Sequence, residues 1–286
     1  LFLNRGAALT FKNLGELNYD RNKSLTNNDI SITNPTQNFR GEIAYKVTDN
    51  WSSQTIIAGG NAKSKGHYTY LYNLQANLFG LYAQQTDAET NTLALQQNFT
   101  GDFKLGSVRN RVVIGVDYLK SQIMDNSSGF RGINVTTPQG QLIPVPAAFG
   151  FANLPTNQAS LSAVLANVPR SNTDVNQNVL SGYISDVVNI LPELSVMAGV
   201  RYDRFKYDGD ANDPTDDQKA YSKSTFSPKF GVVYQPILNQ LSVFANYQNG
   251  FSYVNPEIVP IDVANPAAGT KLQSFDLEQA NQLEFG

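Results

Sequence analysis

Few residues in this chain could carry chemistry. His67 is the only histidine, and it lies beside Gly66 in a polar stretch. A Ser-His-Asp system would have to use it, yet no serine sits in a Gly-x-Ser-x-Gly turn. The chain has no cysteine, so it offers neither a disulfide framework nor a thiolate metal site. His67 with a nearby carboxylate is a poor metal site by donor count. Asp210, Asp213, Asp216 and Asp217, with Gly209 and Asn212, form an oxygen-rich run that could meet Ca²⁺. The run lacks the spaced EF-hand pattern, and a solvated loop is the simpler reading. Tyrosines are better candidates. Tyr68, Tyr70, Tyr72, Tyr82 and Tyr253 offer flat apolar faces and a hydroxyl, as small-ligand sites require. Phe130, Arg131, Ile133, Phe149, Phe151 and Leu154 add apolar cover and one cation. This composition supports binding, not catalysis.

The elements that must position these residues read as strands. From Leu194 to Asp203, Leu194, Val196, Ala198, Val200 and Tyr202 share one face; Ser195, Gly199, Arg201 and Asp203 share the other. The pattern repeats in Phe226 to Gln235, with Phe230, Val232 and Tyr234 against Lys229, Gly231 and Gln235. It repeats again in Leu241 to Gln248, with Leu241, Val243, Ala245 and Tyr247 against Ser242, Asn246 and Gln248. Each apolar run ends in a tyrosine. Pro236 to Asn239 is a tight turn, whereas Lys206 to Ser224 is a long polar connection. Short turns on one side and long loops on the other are the asymmetry of an outer-membrane β-barrel.

Bulk composition agrees. With 41 % hydrophobic and 16 % charged residues, the chain is not of the disordered class. A net charge of −3 gives no phosphate-binding surface, so nucleic acid is not an expected partner. No run approaches the roughly 18 apolar residues of a transmembrane helix, which leaves barrel strands untouched because they alternate. The sequence starts without Met and stops within a strand pattern, and it reads as a piece of a longer protein.

In chain order, Leu9 to Tyr19 reads as a weak strand and Arg21 to Pro35 as a loop. Asn38 to Val47 alternates clearly, Thr48 to Asn50 turns, and Trp51 to Asn61 returns. Lys63 to Asp87 reads as a long aromatic loop with strand extensions. Thr90 to Phe103 and Arg109 to Ile123 form a hairpin. Asp125 to Asn176 is the longest irregular stretch, with a short helix expected near Gln158 to Asn167. A loop this long is expected to be functional. Asn178 to Asn189 is a strand, Val254 to Ser274 a loop, and a last strand begins near Asp276. The expected fold is all-β: about ten antiparallel strands, part of a larger transmembrane barrel, in one domain spanning residues 1–286.

Four stretches carry a resemblance. Ala198-Gly-Val-Arg-Tyr-Asp203, Phe226-Ser-Pro-Lys-Phe-Gly-Val-Val-Tyr-Gln-Pro236, Leu241-Ser-Val-Phe-Ala-Asn-Tyr-Gln-Asn-Gly-Phe251 and Leu277-Glu-Gln-Ala-Asn-Gln-Leu-Glu-Phe-Gly286 resemble barrel strands of the TonB-dependent outer-membrane receptors, siderophore branch. In the last stretch Leu277 stands where the family has Pro, and Leu283 where it has an aromatic. Asn91 to Tyr118 resembles a hairpin of the same branch. The resemblance implies import of a ferric siderophore, without a cofactor, across the outer membrane of a Gram-negative bacterium. It also implies barrel strands facing outer-membrane lipid, a separate plug, and an N-terminal segment engaging the TonB complex, neither of which is in this sequence. The loop tyrosines would then suit catecholate or hydroxamate groups. Tyr45, Tyr118, Tyr202, Tyr234 and Tyr247 would form the aromatic girdle at the lipid headgroups. Arg40, Arg111, Arg201 and Lys229, on the interior face, would meet an anionic ligand or the plug, or pair with carboxylates on neighbouring strands. Other cargo (a saccharide, a cobalamin), a passive porin or structural surface barrel, and a soluble β-sandwich remain as alternatives.

Overall fold

A computed structural model describes residues 13–20, 22–75, 77–213, 220–254, 257–262, 264, 269–273 and 275–286. Among them run fourteen strands: β1 (Ile32–Thr33), β2 (Thr36–Lys46), β3 (Trp51–Gln75), β4 (Leu78–Leu105), β5 (Val108–Asp125), β6 (Arg131–Thr136), β7 (Leu142–Ile143), β8 (Thr173–Leu191), β9 (Leu194–Asp210), β10 (Tyr221–Ile237), β11 (Leu241–Ser252), β12 (Glu257–Pro260), β13 (Thr270–Gln273) and β14 (Glu278–Phe285). One α-helix, α1 (Gln158–Leu165), and two short 3₁₀ turns complete the inventory. Twelve strands form one sheet, ordered β1-β3-β4-β5-β8-β9-β10-β11-β14, with β2 paired to β3 and β6 and β7 branching from β4. From β2 to β5 and from β8 to β11, strands consecutive in the chain lie side by side, as in an up-and-down barrel wall.

Connections of a few residues join β2 to β3, β4 to β5, β8 to β9 and β10 to β11 as hairpins, and β3 and β4, which are also paired, are only two residues apart. Gly106 takes φ +65° in the turn between β4 and β5, a conformation glycine adopts without strain. Arg109 grips Asp102 with two hydrogen bonds beside that turn.

Register settles which residues share a face. Val196 pairs with Val188 and Val232, and Val232 with Ala245. Val200 pairs with Ile184 and Pro228, and Tyr202 with Phe226. This face is apolar and exposed: Val200 is 40 % exposed, Phe226 64 % and Phe230 52 %. The opposite face carries Ser185–Gly199–Lys229–Gln248–Gln282 in one row and Tyr183–Arg201–Ser227 in another. The apolar stretch on β9 runs from Leu194 to Tyr202. Beyond it the same face bears Arg204, Lys206 and Asp208, all exposed. The band is therefore about nine residues long, the length a tilted strand needs to cross hydrocarbon.

The chain divides into two compact units. The larger comprises residues 38–60, 91–122 and 174–286 and carries the apolar band. The smaller comprises residues 1–37, 61–90 and 123–173. It has its own core, in which Ala83, Ile133, Leu161 and Leu165 are fully buried, with Ile30, Val164 and Val168 packed around them.

Several expectations are corrected. Residues 14–17, inside the expected strand Leu9 to Tyr19, form a 3₁₀ turn capped by Asn13; residues 9–12 of that strand lie outside the described residues. Lys63 to Asp87 is not a loop: β3 and β4 continue through it with 25 and 28 residues. Its glycines and asparagines imitate a loop, but Tyr68, Tyr70 and Tyr72 already alternate with period two. Lys63–Glu89 and Lys65–Asp87 form ion pairs between these two strands. Asp125 to Asn176 is a packed segment with β6, β7 and α1, the helix falling where expected. The polar connection from Lys206 shrinks to residues 211–220, because β9 and β10 extend towards it. Val254 to Ser274 contains the small sheet of β12 and β13.

Candidate functional site

In the smaller unit, six of the eleven ligand candidates form one aromatic cluster. Tyr70 stacks on Tyr82 at 5.5 Å and meets Phe130 edge-on at 5.1 Å. Tyr68 flanks both Tyr70 and Phe130, at 6.1 and 6.4 Å. Tyr72 meets Tyr82 edge-on at 6.3 Å, and Phe151 lies 5.5 Å from Tyr82. Offset and edge contacts are the favoured geometry of aromatic rings. Burial and neighbouring phenols push the Tyr70 and Tyr82 hydroxyls above the ordinary tyrosine value, so both stay neutral.

The segment after β5 is stitched to β4, which fixes this cluster. Ser127 and Ser128 hydroxyls accept from the Asp87 and Gln85 amides. Arg170 donates to Gln85 Oε1 at 2.6 Å and to the Asn126 carbonyl at 2.7 Å. The strand β6 then pairs with β4, placing Tyr82 opposite Gly132. Asn157 caps α1 by accepting from the Ser160 amide, and the Gln158 amide donates to Asp29. Leu161 and Leu165 of α1 enter the core. His67 is buried against this helix, 3.3 Å from the Ser162 hydroxyl. It is a packing residue.

The other candidates divide. Arg131 and Phe149 are exposed, Phe149 to 69 %. Ile133 is fully buried in the core with Ala83, and Phe151 is 7 % exposed and packed on Tyr82, so neither is free to cover a ligand. Tyr253 lies in the larger unit, stacked between Phe205 at 4.5 Å and Tyr221 at 5.0 Å. Tyr221 in turn stacks on Tyr207 at 5.3 Å. In the acidic run, Asp210 accepts from the amides of Asp174 and Asn212, which makes it a turn residue; Asp216 and Asp217 lie outside the described residues. No group of three metal-binding side chains occurs among the described residues.

On the apolar face, Tyr202 packs on Phe226 at 5.0 Å, just before the charges Arg204 and Lys206. Tyr234 pairs with Leu194 at the turn end, and Tyr45 lies near the turn after β2. Tyr118 donates to Asn178. Tyr247 pairs with Phe230 and donates to Asn281 on the next strand at 2.7 Å.

The polar face holds a network the sequence reading left unassembled. Arg201 donates to Asp117 at 2.6 Å and to Asp203 at 2.8 Å. Its guanidinium lies 5.2 Å from the Tyr183 ring centre. The Tyr183 hydroxyl donates to Asn98 and accepts from Gln96 at 2.9 Å. Ser181 donates to Asp203. Parity was the available signal: Tyr183 alternates out of phase with Ile184 and shares the face of Arg201. Of the other interior cations, Arg40 pairs with Glu42, and Arg111 donates to Asn189.

The model of the "TonB dependent receptor-like, beta-barrel" family matches residues 2–286. No curated protein matches the chain by sequence. Among solved structures, BauA, the ferric preacinetobactin receptor of Acinetobacter baumannii, aligns over 89 % of this chain at 15 % identity, with a TM-score of 0.64. The ferric-catecholate import receptor Fiu of E. coli K12, in its closed form, aligns over 92 % at 13 % identity, with a TM-score of 0.65. The ferripyoverdine receptor of the outer membrane of Pseudomonas aeruginosa aligns over 77 % at 16 % identity, with a TM-score of 0.56. The chain covers 34 %, 39 % and 27 % of those receptors, respectively. At such identities the likeness speaks for the fold; the family match over nearly the whole chain, with its alternating apolar band, decides membership. The chain belongs to the TonB-dependent receptors, as part of their outer-membrane β-barrel.

Proposed function

We propose that the full-length protein is a transport receptor, not an enzyme, that takes up a ferric siderophore through coupling to the TonB complex. The observation that carries this reading is the aromatic cluster that Tyr68, Tyr70 and Tyr72 of β3 and Tyr82 of β4 form with Phe130 and Phe151. Neutral phenols and aromatic faces suit the aryl and chelate groups of such ligands. Arg131 and Phe149 are proposed as further contacts, and Tyr253 as a wall residue on its own stack. Tyr45, Tyr118, Tyr202 and Tyr234 are proposed as the girdle against lipid. The two units are taken as one barrel domain, completed elsewhere in the receptor by further strands, a plug and a TonB-engaging segment. The likeness to receptors named for ferric preacinetobactin, ferric catecholates and ferripyoverdine supports the class of cargo without naming the siderophore.

The test uses the full-length receptor and a panel of ferric catecholates and hydroxamates. Tyr70→Ala with Tyr82→Ala should weaken binding of the cognate chelate at least about tenfold, or ~1.4 kcal/mol, while heat-modifiable gel mobility stays normal. Uptake should stop when TonB is removed. Uptake that ignores TonB would make the protein a passive pore.

A further inference from the structure

Strands β5, β8, β9, β10 and β11 of the larger unit carry eight Lys or Arg residues. Five of them, Arg109, Arg111, Arg201, Lys223 and Lys229, alternate in phase with the interior face. Lys120, Arg204 and Lys206 have the opposite phase and are exposed on the outward face. The three stand together. Arg204 and Lys206 are two residues apart on β9, roughly 7 Å. Asn178 of β8 is the register partner of Lys206 and accepts from Tyr118 of β5, two residues before Lys120. Lys120 therefore lies about two strand spacings, or ~10 Å, from Lys206.

All three also lie at one end of the wall, away from the short turns at residues 106–107, 192–193 and 238–240. At the turn end the outward positions of the same strands hold Val112, Val188, Leu194, Tyr234 and Leu241, and no cation. Short turns face the periplasm in outer-membrane barrels, so the cations stand at the headgroups of the outer leaflet. A cation that merely snorkels to the edge of the hydrocarbon would serve at either end. One-sided placement calls for an anion on one side only. The outer membrane has such an asymmetry, because its outer leaflet is built from a phosphorylated, multiply acylated glycolipid.

The contacts leave room for that anion. Lys120 has no hydrogen-bond or ion-pair partner among the described residues. Arg204 donates through Nε to Ser222 Oγ at 3.2 Å, which leaves its two terminal amines for the planar fork that matches a phosphate. Lys206 pairs with Asp208, a carboxylate that also accepts from Asn178. Farther from the band, Asp174 is taken by Gln122, and Asp210 accepts backbone amides. Positive charge is thus in excess beside the apolar band. On the band itself, Leu180 is the register partner of Arg204 and is 55 % exposed, and Tyr202 packs on Phe226 at 5.0 Å.

We infer that Lys120, Arg204 and Lys206 bind the phosphates of the outer-leaflet glycolipid, whose acyl chains lie over Leu180, Tyr202 and Phe226. The site faces the membrane, so it is separate from the ligand site proposed above and does not depend on the cargo.

The test needs neither iron nor TonB. Full-length receptor is refolded into phosphatidylcholine vesicles that carry bisphosphorylated lipid A, its dephosphorylated form, or phosphatidylglycerol. The bisphosphorylated lipid should be retained by the purified receptor and should raise its urea midpoint; the other two should do neither. Lys120→Gln with Arg204→Gln and Lys206→Gln should cut retention at least about tenfold, given what each cation contributes at an anionic surface. Asp208→Asn, which removes the competing carboxylate, should raise it. Lys104→Gln, at the turn end, should leave it unchanged. Heat-modifiable mobility reports that each barrel has folded, and Arg204→Gln alone decides if the triple variant does not fold. Equal retention by wild type and a folded variant would overturn the proposal. So would equal retention of the phosphorylated and dephosphorylated forms, or an equal effect of phosphatidylglycerol, which would make the patch a rim for any anionic lipid.

Discussion

Gly115 on β5 should not tolerate even a methyl group. The Tyr183 ring lies directly over it, and a Cβ there would fall within the contact radius of that ring and of Asn98 Oδ1. Neither neighbour can retreat cheaply. The Tyr183 hydroxyl is held by Gln96 and Asn98, and the Arg201 guanidinium lies within 5.2 Å of its ring centre. Gly115→Ala therefore expels the ring. Two neutral hydrogen bonds are worth about 1 kcal/mol each and the cation–π contact about 0.5–1. The expected loss is ~2–3 kcal/mol, which is also the usual range for an overpacked site. Urea titration of the refolded receptor in lipid vesicles, read by tryptophan fluorescence and gel mobility, measures it. A cycle makes the reasoning strict: once Tyr183→Ser has removed the ring, Gly115→Ala should cost under about 0.5 kcal/mol. Equal costs in both backgrounds would show that the ring is not what excludes the methyl group.

Three further outcomes follow from the same geometry. Val200→Arg puts a charge on the lipid face beside Ile184 and Pro228 and should cost up to about 2–4 kcal/mol, whereas Ser195→Arg, on the polar face, should cost under about 1; equal assembly yields by heat-modifiable mobility would contradict the orientation. Asp186 pairs with Ala198 on the apolar face, where its carboxylate accepts the Arg111 amide at 3.1 Å; Asp186→Asn should keep that bond, while Asp186→Leu should lose about 1–3 kcal/mol and speed hydrogen exchange at Arg111. Burial lowers the basicity of His67, with the Asp29 carboxylate opposing. The neutral form is thus the folded one: its contribution is complete above about pH 6.5, the unfolded value, and is lost as pH falls through the folded value. Proteolysis of residues 126–172 should accelerate as pH falls below about 6.5, and His67→Gln should flatten that dependence.

Legibility in the sequence followed the physics of each region. Strands with one face in lipid and one in the interior alternate strictly, because any slip would turn apolar residues inward; β9, β10 and β11 were readable for that reason. In Lys63 to Asp87 tyrosines, leucines and Phe79 are interleaved with glycine, asparagine and charged residues, so the alternation of one apolar and one polar face loses contrast, and β3 and β4 pass for loop. The helix α1 was visible because Asn157 precedes an apolar run, a start signal that needs no tertiary partner. The six aromatic residues could be named but not grouped. Their grouping depends on β6 folding back on β4, a pairing set by Ser127, Ser128 and Arg170. Polar stitches of this kind leave no periodic trace.

The same stitches decide how a ligand site in the smaller unit can work. A long irregular stretch suggests a lid that orders only on binding, at a cost in chain entropy for every residue fixed. The segment after β5 is instead already ordered: its core residues Ile133, Leu161 and Leu165 are fully buried, and Asn134 donates to the Leu154 carbonyl at 2.8 Å. Tyr70 and Tyr82 therefore stand in place before any ligand arrives, held by Phe130 on one side and Phe151 on the other. Pre-organisation of this kind reduces the ordering cost of binding and leaves rejection of a wrong chelate to the shape of a fixed aromatic wall. The exposed residues Arg131 and Phe149 are not locked into that wall, so on the proposed reading they are where sequence change would alter the cargo without disturbing the fold.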